Sequence, residues 1–179
     1  TQLVAALQTI ASRRISATDS VVVSVTQIHG GDTWNVIPEE VVLRGTVRTL
    51  DAGIQDRAQA AMQQICDGVA QTNGAKVALK YMRGYPAVVN TPAETAAAVA
   101  AAASLVGAAQ VNTAIAPAMG SEDFAFMLQK RPGAYIGIGA GEGPDDAPLH
   151  NPYYDFNDNI LPLGAAYWVA LVRQQLPAA

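Results

Sequence analysis

The chain has 179 residues, and its 11 Lys and Arg against 15 Asp and Glu give a formal net charge of −4. Half of the residues are hydrophobic and 15% are charged, which favours one folded domain or two small ones and excludes wholesale disorder. The negative charge argues against nucleic acid or an anionic membrane surface as the main partner. The single cysteine, Cys66, excludes an internal disulfide and predicts a cytoplasmic location.

The first half of the chain alternates between two kinds of hydrophobic periodicity. Steps of three and four residues predict amphipathic helices, and alternation of β-branched with polar residues predicts strands. In chain order the pattern predicts helix, strand, strand, helix and strand over residues 2–13, 20–29, 40–49, 54–73 and 75–83. The second helix is expected to stop near Asn73-Gly74.

This order of elements is that of a β-α-β-β-α-β ferredoxin-like unit without its first strand. We therefore expect residues 1–84 to form a truncated unit, in which the sheet buries one face under the two helices. The helical stripe begins as early as Leu3, and Thr1 replaces an initiator Met. Both features predict that sequence is missing upstream.

The second half of the chain follows a boundary at residues 83–86 and predicts an α/β layer. A capping box over 91–94 opens a helix that reaches about Gly107, and Ser121 is expected to cap another helix. The remaining predicted elements are strands over 111–116 and 134–138, a loop over 139–148 and a last helix over 162–175. Few strands are visible, so this half is expected to be the edge of a larger sheet.

His150 is the strongest candidate for chemistry in this half. It lies between Pro148 and Pro152, and flanking prolines stiffen a loop and fix the direction of its side chain. A metal ligand and an ordinary loop residue remain equally good interpretations on this spacing alone. Because a zinc site needs several protein ligands, any metal partners of His150 are carboxylates or lie outside this chain.

Several segments resemble metal-dependent amidohydrolases of the hippurate hydrolase and indoleacetyl-amino-acid hydrolase type, which are relatives of aminoacylase and carboxypeptidase. Residues 119–124, 132–135 and 149–158 resemble the C-terminal end of that family. Residues 31–38 followed by 43–49 resemble its lid, or dimerisation, domain. The similar segments occur in the family's order and extend over essentially the whole chain.

The resemblance implies an α/β metallopeptidase-like catalytic domain with a ferredoxin-like lid inserted into it. Residues 1–84 would be the lid without its first strand, and residues 85–179 the C-terminal part of the catalytic domain. It also implies hydrolysis of the amide bond of N-acyl or N-aroyl amino acids. The complete site would hold two divalent metals, and the resemblance does not distinguish Zn, Mn, Co or Ni. An uncovered strand edge of the lid predicts a homodimer.

The resemblance implies roles for four residues of this chain. His150 matches a metal-ligand histidine, Asn35 a lid asparagine near the substrate, Arg48 a lid arginine that meets a carboxylate, and Gly120 a segment that lines the site. For Arg48, a solvated charge on the open face of the lid sheet is the alternative.

Other parts of the family's site are absent from the sequence. These are the upstream metal motif, the paired glutamates that include the general base, and the lid histidine. We therefore expect no catalytic residue in this chain and little activity from it alone, as a fragment. The alternative function is a non-catalytic dimerisation or small-ligand-binding module. Trp34 and the Tyr153-Tyr154 pair either contact an aromatic acyl group or pack in the core.

Overall fold

The computed structural model describes residues 1–141, 143 and 146–176. The chain forms two compact units. The first contains Thr1–Ala87 together with Pro117–Glu122, and the second contains Val88–Ala116 and the described residues of Asp123–Ala179. Residues 142, 144 and 145, which belong to the loop predicted over 139–148, lie outside the described residues.

The first unit contains the first four elements that the periodicity predicts. They are helix α1 (Gln2–Thr9), which continues as a π-helical turn (Ile10–Arg14), strands β1 (Val21–His29) and β2 (Val42–Thr49), and helix α2 (Ala52–Asn73). The Asp51 side chain caps α2 by accepting from the Ile54 N–H at 2.9 Å. The helix ends at Gly74, whose left-handed φ of 60° suits glycine. The predicted stop at Asn73-Gly74 is confirmed.

Strands β1 and β2 form an antiparallel two-stranded sheet with one irregularity in its register. Val25 pairs with Gly45, and the next pair joins Gln27 to Arg44, so Thr26 is the extra residue of a bulge. A Cβ on Gly45 would lie 2.0 Å from the Ser24 carbonyl oxygen. The backbones approach so closely here that only glycine fits.

The core of the first unit lies between the two helices and one face of the sheet. Its buried members come from the stripes that the sequence predicts: Leu7, Ile10, Ile15, Val23, Ile54, Ala58, Ala61 and Ile65. Val21, Val25 and Val47 pack against this cluster from the sheet. Because the opposite face of β2 carries Arg44 and Arg48, the sheet is apolar on one side and basic on the other.

The third predicted strand, over 75–83, does not join this sheet. Its side chains still alternate between half-buried and exposed positions, as in a strand. The predicted alternation of side chains is therefore confirmed. The expected pairing is absent, because the backbone of this segment has no partner strand within the described residues.

The second unit is mainly helical in its described part. Its elements are α3 (Pro92–Val106), a 3₁₀ turn (Ala108–Gln110), α4 (Phe124–Leu128), a second 3₁₀ turn (Asp158–Ile160) and α5 (Leu161–Gln175). Helices α3 and α5 pack together through Ala98, Ala101 and Tyr167. The predicted helices near 91–107 and 162–175 are therefore confirmed. No helix in the described ranges is long and apolar enough to cross a membrane.

The prediction of two strands in this unit is wrong for the described residues. Neither 111–116 nor 134–138 pairs with another strand among the described residues. Near the second of them, the Asn90 side chain bonds both the N–H and the carbonyl of Tyr135, each at 2.8 Å. A side chain thus takes the place of a neighbouring strand, because these backbone groups need partners and the described chain supplies no ladder.

Both predicted helix caps of this unit also differ from expectation. Asp123, not Ser121, precedes α4, and no side chain caps that helix. Thr91 does precede α3, with Pro92 at its start, but its hydroxyl contacts Glu94 and the backbone of Gly133 instead of a helical N–H. Tertiary partners therefore outcompete the local capping geometry.

Candidate functional site

Arg48 connects strand β2 to a distant stretch of chain. It pairs with Val22 in the sheet register, and its exposed side chain leaves the face opposite the core. The guanidinium Nη1 donates a hydrogen bond to the carbonyl oxygen of Met119, 71 residues away. Met119 is half-buried and directly precedes Gly120. The structure thus brings two of the predicted substrate-binding positions, Arg48 and Gly120, next to each other.

The charge of Arg48 is not neutralised by a carboxylate within the described residues. The ion pairs there are Arg57 with Asp19 at 2.7 Å and Arg83 with Asp56 at 2.5 Å. A guanidinium carries several N–H donors in one plane, so the bond to a single carbonyl leaves others for a planar anion. Arg48 therefore combines a positive charge with unused donors.

Arg44 provides an internal comparison for Arg48. It lies four residues earlier on the same face of β2, and its Nη1 lies 3.5 Å from the Gln27 Oε1 on the neighbouring strand. Arg44 therefore stays over its own sheet, whereas Arg48 reaches the 117–122 segment. The two arginines share strand, face and charge but differ in surroundings.

Asn35 lies in the connection between β1 and β2, also in the first unit. Its Oδ1 accepts a hydrogen bond from the Thr33 hydroxyl at 3.1 Å, and this bond stays within the same loop. The neighbouring Trp34 is 96% exposed and Ile37 is 93% exposed. Core packing is therefore wrong as an explanation of Trp34 in the described structure.

His150 lies in the second unit, in a loop made of two consecutive turns. The Asn151 N–H bonds the Pro148 carbonyl at 3.0 Å, and the Tyr154 N–H bonds the Asn151 carbonyl at 3.0 Å. The φ of His150 is 71°, the one positive value at a non-glycine residue in the described ranges. Glycine or asparagine is the usual residue at such a position, so histidine costs about 1 kcal/mol there.

The exposed imidazole of His150 is thus held by a strained turn. Strain of this kind concentrates at functional sites, where the surrounding structure maintains it. Tyr153 in the second turn is 87% exposed, so core packing does not explain this tyrosine either. The loop therefore combines an exposed imidazole with a left-handed backbone at His150.

A complete metal site is not present in the described part of the chain. No group of three or more His, Cys, Asp or Glu side chains within the described ranges is placed to hold an ion. One exposed imidazole does not satisfy a zinc-type site. The donor set of these residues therefore does not fit a self-sufficient metal centre, and what they can do chemically is bind and position an anion.

The partner of Arg48 is the feature that sequence reasoning missed. Met119 acts through a main-chain carbonyl, which every residue carries, so no residue pattern identifies it. A distant contact of this kind is visible only once the chain is folded.

Comparison with known proteins gives a consistent picture. The model of Peptidase family M20/M25/M40 matches residues 3–174. The chain is 32% identical to N-acetylcysteine deacetylase of Bacillus subtilis over 170 residues, which cover 95% of this chain and 43% of that protein. It is 31% identical to hippurate hydrolase of Campylobacter jejuni over 174 residues, or 97% of this chain and 45% of that enzyme.

A solved structure resembles the fold as well. The YxeP protein of Bacillus subtilis, described as a dinuclear metal binding peptidase from the M20 family, matches with a TM-score of 0.75 at 27% identity. The match covers 98% of this chain and 45% of that one. The chain therefore spans less than half the length of these relatives.

Proposed function

Because this chain belongs to peptidase family M20/M25/M40, a family of hydrolases, we propose that it is part of a longer enzyme that hydrolyses the amide bond of N-acyl or N-aroyl amino acids. Two of its relatives are named for such substrates, hippurate and N-acetylcysteine. In this proposal residues 1–84 are the lid, without its first strand, and residues 85–179 are the C-terminal part of the catalytic domain.

The contact between Arg48 and the Met119 carbonyl is the observation that carries the proposal. It holds a guanidinium with unused donors beside the main chain at Gly120. The carboxylate of the amino acid is the group that all N-acyl amino acids share, and arginine suits it by paired, charge-assisted hydrogen bonds. Arg48 therefore binds the substrate carboxylate, and Gly120 leaves room for it because glycine has no side chain.

The other predicted residues take supporting roles. Asn35 contacts the substrate from the β1–β2 connection, and His150 supplies one imidazole to a metal centre completed by residues outside this chain. We expect two divalent metals in the complete enzyme, and the described residues do not distinguish Zn, Mn, Co or Ni. The steps assigned to this chain are accordingly binding and positioning.

The test compares Arg48 with Arg44 in the complete, metal-loaded protein. Arg48→Ala removes the donors to the carboxylate and is expected to raise the KM for hippurate about 10- to 100-fold. This factor corresponds to the binding free energy that charge-assisted hydrogen bonds contribute. Arg48→Lys retains the charge but loses the planar fork, so an intermediate KM is expected. Arg44→Ala is the matched control and is expected to leave KM within about twofold of the wild type, because surface charges on this face contribute little.

A second substrate makes the assignment specific. The methyl ester of hippurate lacks the free carboxylate, so Arg48→Ala should cost little with this ester. An equal loss of activity towards hippurate and its ester would show that Arg48 acts elsewhere. Failure of the complete protein to hydrolyse any N-acyl amino acid with any of the four metals would refute the proposed function.

One observation favours the alternative, a non-catalytic dimerisation or small-ligand-binding module. Among the described residues, no group of three or more His, Cys, Asp or Glu side chains is placed to hold a metal ion. Binding of N-acyl amino acids without turnover by the complete gene product would support this alternative. A homodimer formed through the lid is proposed for both functions, and light scattering at high concentration tests it.

A further inference from the structure

The loop that carries His150 is closed at its base by one side chain. The Asn157 amide Nδ2 donates a hydrogen bond to the Ala140 carbonyl oxygen at 3.1 Å, 17 residues away. Both residues are half-buried, whereas His150 between them is exposed. The bond therefore joins the two ends of an exposed segment at a point that is partly shielded from water.

The other half of the same amide anchors this contact to a helix. The Asn157 Oδ1 accepts a hydrogen bond from the Asn159 N–H at 3.0 Å and so caps the 3₁₀ turn Asp158–Ile160. That turn leads without a break into α5, which packs against α3 through Tyr167. Asn157 thus joins Ala140 to a packed helix, and this uses both the donor and the acceptor of its amide.

The two turns around His150 fix its backbone only locally. Their hydrogen bonds join residues two or three positions apart, from the N–H groups of Asn151 and Tyr154 to the carbonyls of Pro148 and Asn151, and from the Tyr153 N–H to the Asn151 Oδ1. Bonds of this range set the shape of a loop but not the direction in which the whole loop points. The bond from Asn157 to Ala140 spans the entire segment, so it constrains that direction.

We propose that Asn157 is a positioning residue, whose amide fixes the direction in which the loop presents the His150 imidazole. The inference rests on the proposed function for the use that is made of His150, whereas the bond to Ala140 is independent of it. His150 has a left-handed backbone with a proline two positions away on either side. Such a backbone has little freedom to readjust, so a displaced loop base displaces the imidazole with it.

Asn157→Asp separates the two halves of the amide. The carboxylate keeps an acceptor for the Asn159 N–H, but it has no donor for the Ala140 carbonyl and places a negative charge beside that oxygen. Asn157→Ala removes both bonds. Asn159→Ala is the matched control, because it changes an exposed side chain of the same turn and leaves the backbone N–H that Asn157 binds.

Kinetics of the complete, metal-loaded protein with hippurate test the positioning role. Asn157→Asp and Asn157→Ala should both lower kcat about 10- to 100-fold, because a misplacement of about 1 Å is enough for such a loss. KM should stay within about twofold of the wild type, since Arg48 still binds the substrate carboxylate. This division between kcat and KM is the reverse of that expected for Arg48→Ala. Asn159→Ala should leave both parameters unchanged.

Amide hydrogen exchange of the same proteins gives a second measurement that does not require turnover. The bonded amides of Asn151, Tyr153 and Tyr154 should exchange about 10-fold faster in Asn157→Asp than in the wild type, because opening the loop base removes about one hydrogen bond of local stability. The amides of α5 and β1 should keep their wild-type rates, because the aspartate retains the cap of the turn before α5.

Three results would overturn the inference. The first is a wild-type kcat or unchanged loop exchange in Asn157→Asp, which would show that the cap, and not the bond to Ala140, is what Asn157 contributes. The second is faster exchange of α5 together with the loop, which would show that Asn157 acts through helix stability. The third is an equal loss of kcat in Asn159→Ala. A complete protein that hydrolyses no N-acyl amino acid would refute the proposed function, and the exchange of the loop would then decide the positioning role alone.

Discussion

Replacing Gly45 with alanine tests the account of the β1–β2 sheet most directly. The new Cβ would lie 2.0 Å from the Ser24 carbonyl oxygen and 3.1 Å from the Val25 Cα. Both neighbours are backbone atoms of the partner strand, so no side chain can rotate away. The hairpin must open by about 1 Å at the bulge, because ordinary contacts of this kind lie beyond about 3 Å.

The expected loss follows from two contributions. Overpacking costs about 1–3 kcal/mol, and weakening one ladder hydrogen bond beside the bulge costs about 1 kcal/mol. Gly45→Ala should therefore lower the free energy of unfolding of the first unit by about 2–4 kcal/mol. Because β2 also carries Arg48, the same variant should impair the proposed carboxylate site.

Urea denaturation followed by far-ultraviolet circular dichroism measures the effect, and amide exchange over residues 21–29 assigns it to the hairpin. Gly68→Ala is the matched control, since Gly68 lies within α2 and, apart from the backbone of its own helix and its chain neighbours, no atom of the described residues lies within 4 Å of the added methyl group. That variant should stabilise the protein by about 0.5–1 kcal/mol through helix propensity. If Gly45→Ala stays within about 0.5 kcal/mol of the wild type, the close approach of the two strands is refuted.

Three further predictions concern other parts of the molecule. Both His150→Gly and His150→Ala remove the imidazole, but the glycine variant should be more stable by about 1 kcal/mol in thermal unfolding because the position is left-handed; equal stabilities would contradict the strain. Burial, and then Asp67, raise the pKa of the Cys66 thiol above its ordinary 9.0, so the unfolded thiol ionises first and stability falls as the pH rises through that value. Urea midpoints between about pH 8 and 10 should show this slope in the wild type but less of it in Cys66→Ala, and identical slopes would count against it. Arg83→Ala removes a largely exposed ion pair with Asp56 and should cost at most about 1 kcal/mol in the same assay, so a larger loss would show that the pair is coupled to packing.

Much of the local structure could be predicted from the sequence because it depends on which faces are apolar. The stripe of α2 from Ile54 to Ile65 is buried as its spacing indicated, and the valines of β1 pack on the same cluster. The pattern over 75–83 also has its expected alternation. The ladder itself could not be predicted, because a strand needs a partner that local sequence does not identify.

The helix caps and the contacts of the candidate site could not be predicted from the sequence. Thr91 has the sequence of a capping residue, yet its hydroxyl bonds Gly133, 42 residues away. The resemblance placed Arg48 and Gly120 in one site, and the fold joins Arg48 to the residue before Gly120, through a Met119 carbonyl that has no sequence signature. The sequence shows that prolines stiffen the chain on both sides of His150, but only the structure shows that the His150 backbone is left-handed.

The sequence by itself therefore determined the order of the elements, their inward faces, and the residues that resemble a substrate and metal site. These properties follow from periodicity and residue type, which are local. Only the tertiary structure decided that Arg48 meets Met119, that Gly45 must lack a side chain, and that residues 76–83 remain unpaired in the described chain. Each of these depends on backbone atoms distant in sequence coming within hydrogen-bonding or steric range, and only folding creates that proximity.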